Sequence, residues 1–399
     1  MKSFTLTQWI VIIILSLLTA LEPLSIDLYL PAFLLIADAF SSSVSDIQIS
    51  LSTFLGGFAI GQLFWGPLAD RFGRKKPILI SLLIFILASI ACLYVRTIEQ
   101  LWVMRFIQAI GGCGGIVISR AVVTDYFDQT KTLKIFTLLA LIMSIAPIVA
   151  PLIGNGILRF SGWEGVFITI VLLGIFMFLL TLFFLPETHK TKTVKKKGNV
   201  LKTYLEILKV RKFTIYALVA GIANGTLMVY VANGPFLMME QGGLSSNVFS
   251  IVFATNALGL MVASYLTAFL QKYISTARLV RYALIMMFAA SVVLLGLMYV
   301  NANIYLILVV LFFFVFPIGI LFPATTELAM KPFTDNSGSA SALFGSIQLS
   351  LAFICSIATN ALSNGTVVAL GLSFFVCGLL GFVLVFAKVQ NKETVVYPH

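Results

Sequence analysis

The sequence predicts an all-α polytopic membrane protein of about twelve transmembrane helices in two six-helix pseudo-repeat halves. Three observations lead there. Of the 399 residues, 60% are hydrophobic and 10% charged, where a soluble domain carries about 25% charged residues. Apolar runs of roughly 18 to 25 residues recur along the whole chain, each long enough to cross about 30 Å of hydrocarbon. One long basic stretch, HKTKTVKKKGNVLK from His189 to Lys202, interrupts them near the middle. The runs do not alternate as the strands of a β-barrel would.

The expected spans are 8–35, 46–66, 77–95, 100–124, 133–156 and 163–185, then 213–239, 246–270, 280–300, 303–328, 338–361 and 366–388. The first is too long for a signal-peptide core and carries Glu22 and Asp27, so it reads as a retained helix. The basic stretch divides the chain into an N-terminal half (1–188), a linker (189–212) and a C-terminal half (213–399). Such equal halves suggest parallel repeats about an axis along the membrane normal.

The net charge of +11 would suit a nucleic-acid partner, but its distribution excludes one. All 26 Lys and Arg residues except Arg96, Arg105, Arg120 and Arg159 fall in alternate loops and tails on one side. That asymmetry is the positive-inside pattern, with both termini cytoplasmic. The linker is then a solvated segment that touches anionic lipid headgroups. Trp9, Trp65, Trp102 and Trp163 fall at expected span ends, where indole favours the membrane interface. Cys92, Cys113, Cys355 and Cys377 lie in apolar runs without paired spacing, and His189 and His399 lie in a linker and a tail. Neither a metal site nor a disulfide framework is expected.

Small residues mark close helix contacts at GGFAIG (Gly56 to Gly61) and GGCGG (Gly111 to Gly115). They serve either packing alone or sliding between two states. GPLADRFGRKKPIL, Gly66 to Leu79, joins spans two and three, with glycines permitting a tight turn around a charged cluster. Span four carries Arg105 and Gln108 in LWVMRFIQAIGGCGG. An intramembrane arginine faces a cavity or a partner. Span five contains APIVAPLIGN, where Pro147 and Pro151 predict a kink and Gly154 a close approach. Span seven contains NGTLMVYVANGPF, which predicts an interrupted helix with Asn224, Tyr230 and Asn233 on a cavity.

The Gly66–Leu79 string resembles the cytoplasmic loop motif of the major facilitator superfamily, G-x-L-x-D-R-x-G-R-K. The Arg105–Gln108 string is similar to that family's R-x-x-Q-G, with Ala109 in place of its glycine. SIDLYLPAF (Ser25 to Phe33) and SRAVVTDYF (Ser119 to Phe127) resemble the Bcr/CflA subfamily of drug/proton antiporters. APLIGN resembles the antiporter motif G-P-x-x-G-G with two glycines changed. The resemblance implies a cytoplasmic conformational latch at Gly66, Asp70, Arg71, Gly73 and Arg74; because a helix dipole favours a carboxylate at its N-terminus, the start of span eleven at Asn336-Ser337 is the candidate partner of Asp70. The resemblance also implies proton and cation recognition by span-one acids.

No G-x-x-x-x-G-K-[ST] loop, H-E-x-x-H or G-x-S-x-G appears, so neither nucleotide hydrolysis nor membrane enzymology is indicated. An ionised carboxylate in hydrocarbon is unfavourable, so such a group takes up a proton when isolated and gives it up to an arriving cation. Glu22, Asp27 and Arg105 are therefore the expected coupling and substrate residues, with Tyr29 and Gln108 beside them. Five residues turn a helix by roughly 140°, so Glu22 and Asp27 read as two sites on different faces. Pairing of one or both with Arg105 is the structural alternative. The expectation is a monomeric, proton-gradient-driven exporter of small amphipathic or cationic compounds in a bacterial inner membrane. A dedicated metabolite or siderophore transporter, or a non-transporting sensor, remains the alternative.

Overall fold

The computed structural model describes residues 5–188, 200–333, 337–362 and 365–386. Helix α1 (Leu6–Asp27) starts at a Thr5–Gln8 capping box and passes through a short 3-10 turn (Leu30–Ala32) into α2 (Phe33–Ala39). Together they form the first span. Next come α3 (Val44–Phe72), α4 (Lys75–Ala91) and α5 (Ile98–Tyr126). Helix α6 (Gln129–Phe184) contains both spans five and six. Its backbone stays helical through Pro147 and Pro151 and breaks instead at Gly162 (φ 64°, ψ −167°).

A ten-residue helix, α7 (Val200–Lys209), lies inside the expected linker and leads into α8 (Arg211–Pro235). The interruption expected from the two Asn-Gly pairs and Pro235 occurs only after the proline. Helix α8 runs unbroken to Pro235, and the irregular stretch follows as a π turn, Phe236–Gln241. Asn233 Nδ2 donates to Val229 O at 2.9 Å within its own helix and Asn224 Nδ2 donates to Gln348 O of α12, while the backbone stays helical at both pairs. Helices α9 (Ser246–Leu270), α10 (Thr276–Tyr299), α11 (Ile304–Met330), α12 (Ser337–Leu362) and α13 (Val367–Phe386) complete the second half.

Close backbone approach holds the first half together. A Cβ on Gly57 would lie 2.4 Å from Phe106 O, and one on Gly111 would lie 2.4 Å from Phe85 N. Gly57, Gly61 and Gly111 therefore pack α5 against α3 and α4 within one half, whereas Gly56 faces α12 of the other half, a Cβ there lying 3.2 Å from the Phe353 ring. Trp65 departs from its expected interfacial place. It is buried, and its Nε1 donates to Ile110 O at 2.7 Å, because α3 continues two turns beyond it.

The end of the bundle where α1 starts also carries Arg71, Arg74, Lys75, Arg211 and Lys212, and forms a basic face. Contacts joining the two halves concentrate toward the opposite, far face. Ser45 meets Asn360, Ser52 Oγ lies 2.6 Å from Ser356 Oγ, and Ser250 Oγ donates to Pro151 O at 3.1 Å. Asn155 and Arg159 of α6 both donate to Asn247 Oδ1 of α9, the second at 2.6 Å. These hydrogen bonds between the halves all lie toward the far face.

Candidate functional site

Beneath the far-face contacts, at mid-depth, a cavity of about 180 Å³ lies between the halves. Glu22, Pro23 and Asp27 of α1 and Met143 and Pro147 of α6 form one wall. Leu227, Met228 and Tyr230 of α8 and Phe253 of α9 form the other. The two carboxylates, expected on different faces, reach the same cavity. Asp27 is the last residue of α1, and the chain turns there into the 3-10 segment, so the cavity wraps around the helix end. They are near enough for their charges to act on one another. Asp27 is otherwise buried, and neither carboxylate forms a hydrogen bond or ion pair among the described residues.

Arg105 does not line this cavity. It is wholly buried, with its guanidinium 4.2 Å from the Phe54 ring centre and 4.7 Å from that of Tyr29. Its Nη1 donates to Gln108 Oε1 at 2.6 Å, and Gln108 Nε2 donates on to Ser89 Oγ at 2.7 Å. Its Nη2 donates to Ser25 O at 3.2 Å. That carbonyl is one of the last four of α1, which lack acceptors' partners within the helix, and a cation there also meets the negative end of the helix dipole. Arg105 thus holds the helix end that carries Asp27, and pairs with no carboxylate among the described residues. Tyr29 belongs to the same cluster, its hydroxyl 2.9 Å from Ser50 Oγ.

Of the three residues expected from span seven, only Tyr230 faces the cavity. Its hydroxyl accepts from Asn256 Nδ2 at 2.8 Å, and its ring stacks on Phe253 with centres 5.6 Å apart. Asn224 instead donates to Gln348 O of α12 at 3.3 Å. Gly154 makes the expected close approach, since a Cβ there would lie 2.5 Å from Leu28 O.

A second charged cluster occupies the basic face. Arg74 Nη1 donates to Asp70 Oδ1 at 2.6 Å and its Nε to Asp125 Oδ2 at 2.7 Å. Burial works against the charge of Arg74, but the hydrogen bonds and charges of Asp125 and Asp70 outweigh it and raise its pKa above the ordinary arginine value. Glu187 accepts from the backbone N–H groups of Arg74 (2.9 Å) and Lys75 (3.2 Å), capping the start of α4. Gly73, at φ 89° and ψ 175°, makes the turn between α3 and α4. Arg71 lies over the Phe72 ring at 5.2 Å, and Gly66 packs loosely against Val117. Asp70 remains largely exposed, and Asn336, its expected partner, lies outside the described residues.

Asp125 and Glu187 escaped the sequence reading of this cluster. Asp125 lay in a quoted string without a role, and Pro186-Glu187-Thr188 followed a span without apparent consequence. Arg120 was visible as an intramembrane cation, but only the fold brings its charge to bear on Glu22.

A profile described as the Major Facilitator Superfamily matches residues 15–355. The chain belongs to the major facilitator superfamily. Among curated superfamily relatives, an uncharacterised MFS-type transporter from Bacillus subtilis, YdgK, is 35% identical over 95% of both chains. A bicyclomycin resistance protein homolog from Haemophilus influenzae is 28% identical over 87% of this chain and 88% of its own, in accord with the Bcr/CflA resemblance. The multidrug resistance protein MdtL of Klebsiella pneumoniae is 29% identical over 83% of each. Among solved structures, a D-xylose–proton symporter superposes with a TM-score of 0.78 at 14% identity, covering 96% of this chain and 97% of its own. A bacterial homolog of the lysosomal transporter Spinster, inward-facing and occupied, gives 0.76 at 16% identity with the same coverage. These two share the fold of this chain.

Proposed function

We propose that this protein is a proton-coupled exporter of small amphipathic solutes, exchanging them for protons across a bacterial inner membrane by alternating access. The observation that carries the reading is the placement of Glu22 and Asp27 on one cavity between the halves, with no protein partner for either among the described residues. A carboxyl group so placed is a proton site when the cavity is empty and a cation site when a solute enters. The resistance names of the relatives from Haemophilus and Klebsiella support export as the direction.

The basic face is the cytoplasmic side by the positive-inside rule. The structure then represents the state closed toward the outside, since the contacts between halves gather at the far face. The Asp70–Arg74–Asp125 cluster, with Glu187, acts as the cytoplasmic latch residues of the opposite state. A cavity of about 180 Å³ is below the usual 300–1,000 Å³ of drug-sized sites, which favours a small solute.

Reconstitution in proteoliposomes with an imposed pH gradient tests the reading. Solutes should drive proton movement in the wild type, and Asp27→Asn should abolish it while leaving the protein monodisperse. Full gradient-dependent exchange by Asp27→Asn would overturn the assignment.

A further inference from the structure

We infer that Arg120 is a second charged element of the solute site, set against Glu22, and that the transported compound carries both an anionic and a cationic group. The inference deepens the exchange reading and rests on it. Arg120 sits inside α5, six residues before its end, between the buried Ser119 and the buried Val122, yet its own side chain is exposed. An arginine within a membrane helix faces either a partner or a water-filled cavity. Arg105 has its partners in Gln108, Ser25 and two rings, and Arg74 has two carboxylates. Arg120 forms no hydrogen bond or ion pair among the described residues.

The carboxylate whose charge acts on Arg120 is Glu22. Their spacing follows from the helix packing. Gly115 of α5 faces Leu18 of α1, a Cβ there lying 3.1 Å from the leucine side chain. From that level Arg120 lies five residues toward the cytoplasm and Glu22 four residues away from it. The two backbones are therefore roughly 13 Å apart along the helix axes. Arg120 is thus rooted on the cytoplasmic side of Glu22, and its long side chain brings the guanidinium within range of that carboxylate's charge.

The chemistry of exchange selects what fits. A guanidinium presents a planar fork of donors that matches a carboxylate. An ammonium group that reaches Glu22 displaces its proton, which a purely anionic solute cannot do. A purely cationic solute meets Arg120 as a like charge on the way in. A compound with both groups satisfies each residue, and its apolar body meets Met143, Leu227 and Met228, whose flexible side chains adapt to shape.

Three compounds with one apolar body test this: phenylalanine, phenethylamine and 3-phenylpropionate, titrated against the full chain in detergent by thermal shift. Wild-type protein should respond to phenylalanine with a midpoint at least ~10-fold lower than to either of the others, tenfold being about 1.4 kcal/mol. Arg120→Gln and Glu22→Gln should each raise that midpoint by ~10-fold or more, while Arg120→Lys retains most of the response. Arg120→Gln should also lower the midpoint for phenethylamine. Equal binding of phenethylamine and phenylalanine by the wild type, or no response to any of the three, overturns the inference. An unchanged phenylalanine midpoint in Arg120→Gln does the same. If that variant is not monodisperse, the wild-type comparison decides alone. Proton movement is not part of this readout, so loss of gradient-driven exchange would count against the transport reading and leave the binding result standing.

Discussion

Ser45 and Asn360 hold each other twice across the two halves: Ser45 Oγ donates to Asn360 Oδ1 at 2.6 Å, and Asn360 Nδ2 donates to Ser45 O at 3.0 Å. With Ser52–Ser356 and the Asn247 contacts, this reciprocal pair closes the far face. Each neutral hydrogen bond contributes about 0.5–1.5 kcal/mol net, so the pair biases the equilibrium between states by roughly 1–3 kcal/mol. Asn360→Ala should therefore raise the population open to the outside by about 5- to 150-fold. Accessibility of a cysteine placed at Ser52 to an impermeant thiol reagent measures this, and unaltered labelling would exclude a gating role.

Gly73 should tolerate no side chain. Its φ of 89° with ψ of 175° is a region open essentially to glycine, and a Cβ would lie 2.7 Å from Glu187 Oε2. Gly73→Ala should cost about 1–3 kcal/mol and displace Glu187 from the start of α4. The check is a thermal melt alongside Glu187→Gln. If the glycine matters partly through Glu187, the double variant will be less destabilised than the sum of the singles.

Arg105→Lys should destabilise the protein although the charge is kept. A lysine lacks the planar fork that reaches Gln108 and Ser25 O together while stacking between Tyr29 and Phe54. The loss is on the order of 2–3 kcal/mol, read as a fall in melting temperature. Because Arg105 holds the end of α1 and does not line the cavity, solute midpoints of the folded fraction should change less than in Glu22→Gln.

Gly57→Ala and Gly111→Ala should each lower stability by about 1–3 kcal/mol, since the added methyl would overlap backbone atoms of the neighbouring helix. Both contacts lie within the first half. The ratio of inward- to outward-facing labelling should stay at the wild-type value, whereas a sliding role for these glycines would shift it.

The span boundaries were legible in the chain because hydrocarbon thickness imposes one length on every helix, and loops between spans must be polar. Each expected span falls on a helix of the structure, including spans five and six, which share α6 across Gly162. The family was legible in Gly66–Leu79 because that string is local. The helix breaks were less so. Pro147 and Pro151 sit in continuous helical backbone, since a proline leaves φ within the helical range, whereas Gly162 adopts a positive φ. Trp65 was misplaced because an indole at an apparent span end is indistinguishable from one inside a longer helix.

What the sequence by itself determined is the membrane architecture, the two halves, the sidedness of charge and the presence of acids where hydrocarbon should exclude them. Those features depend on composition and on one-dimensional spacing. Only the tertiary structure decided which charges meet. Arg105, adjacent in expectation to Glu22 and Asp27, turns to the end of α1, while the charge that reaches Glu22 is that of Arg120 on α5. Asn155, a departure from a glycine motif in the string, becomes a donor to Asn247 of the other half. Helical periodicity gives the direction of a side chain about its own axis, but the partner it meets depends on how neighbouring helices cross, and that is set by packing between distant parts of the chain.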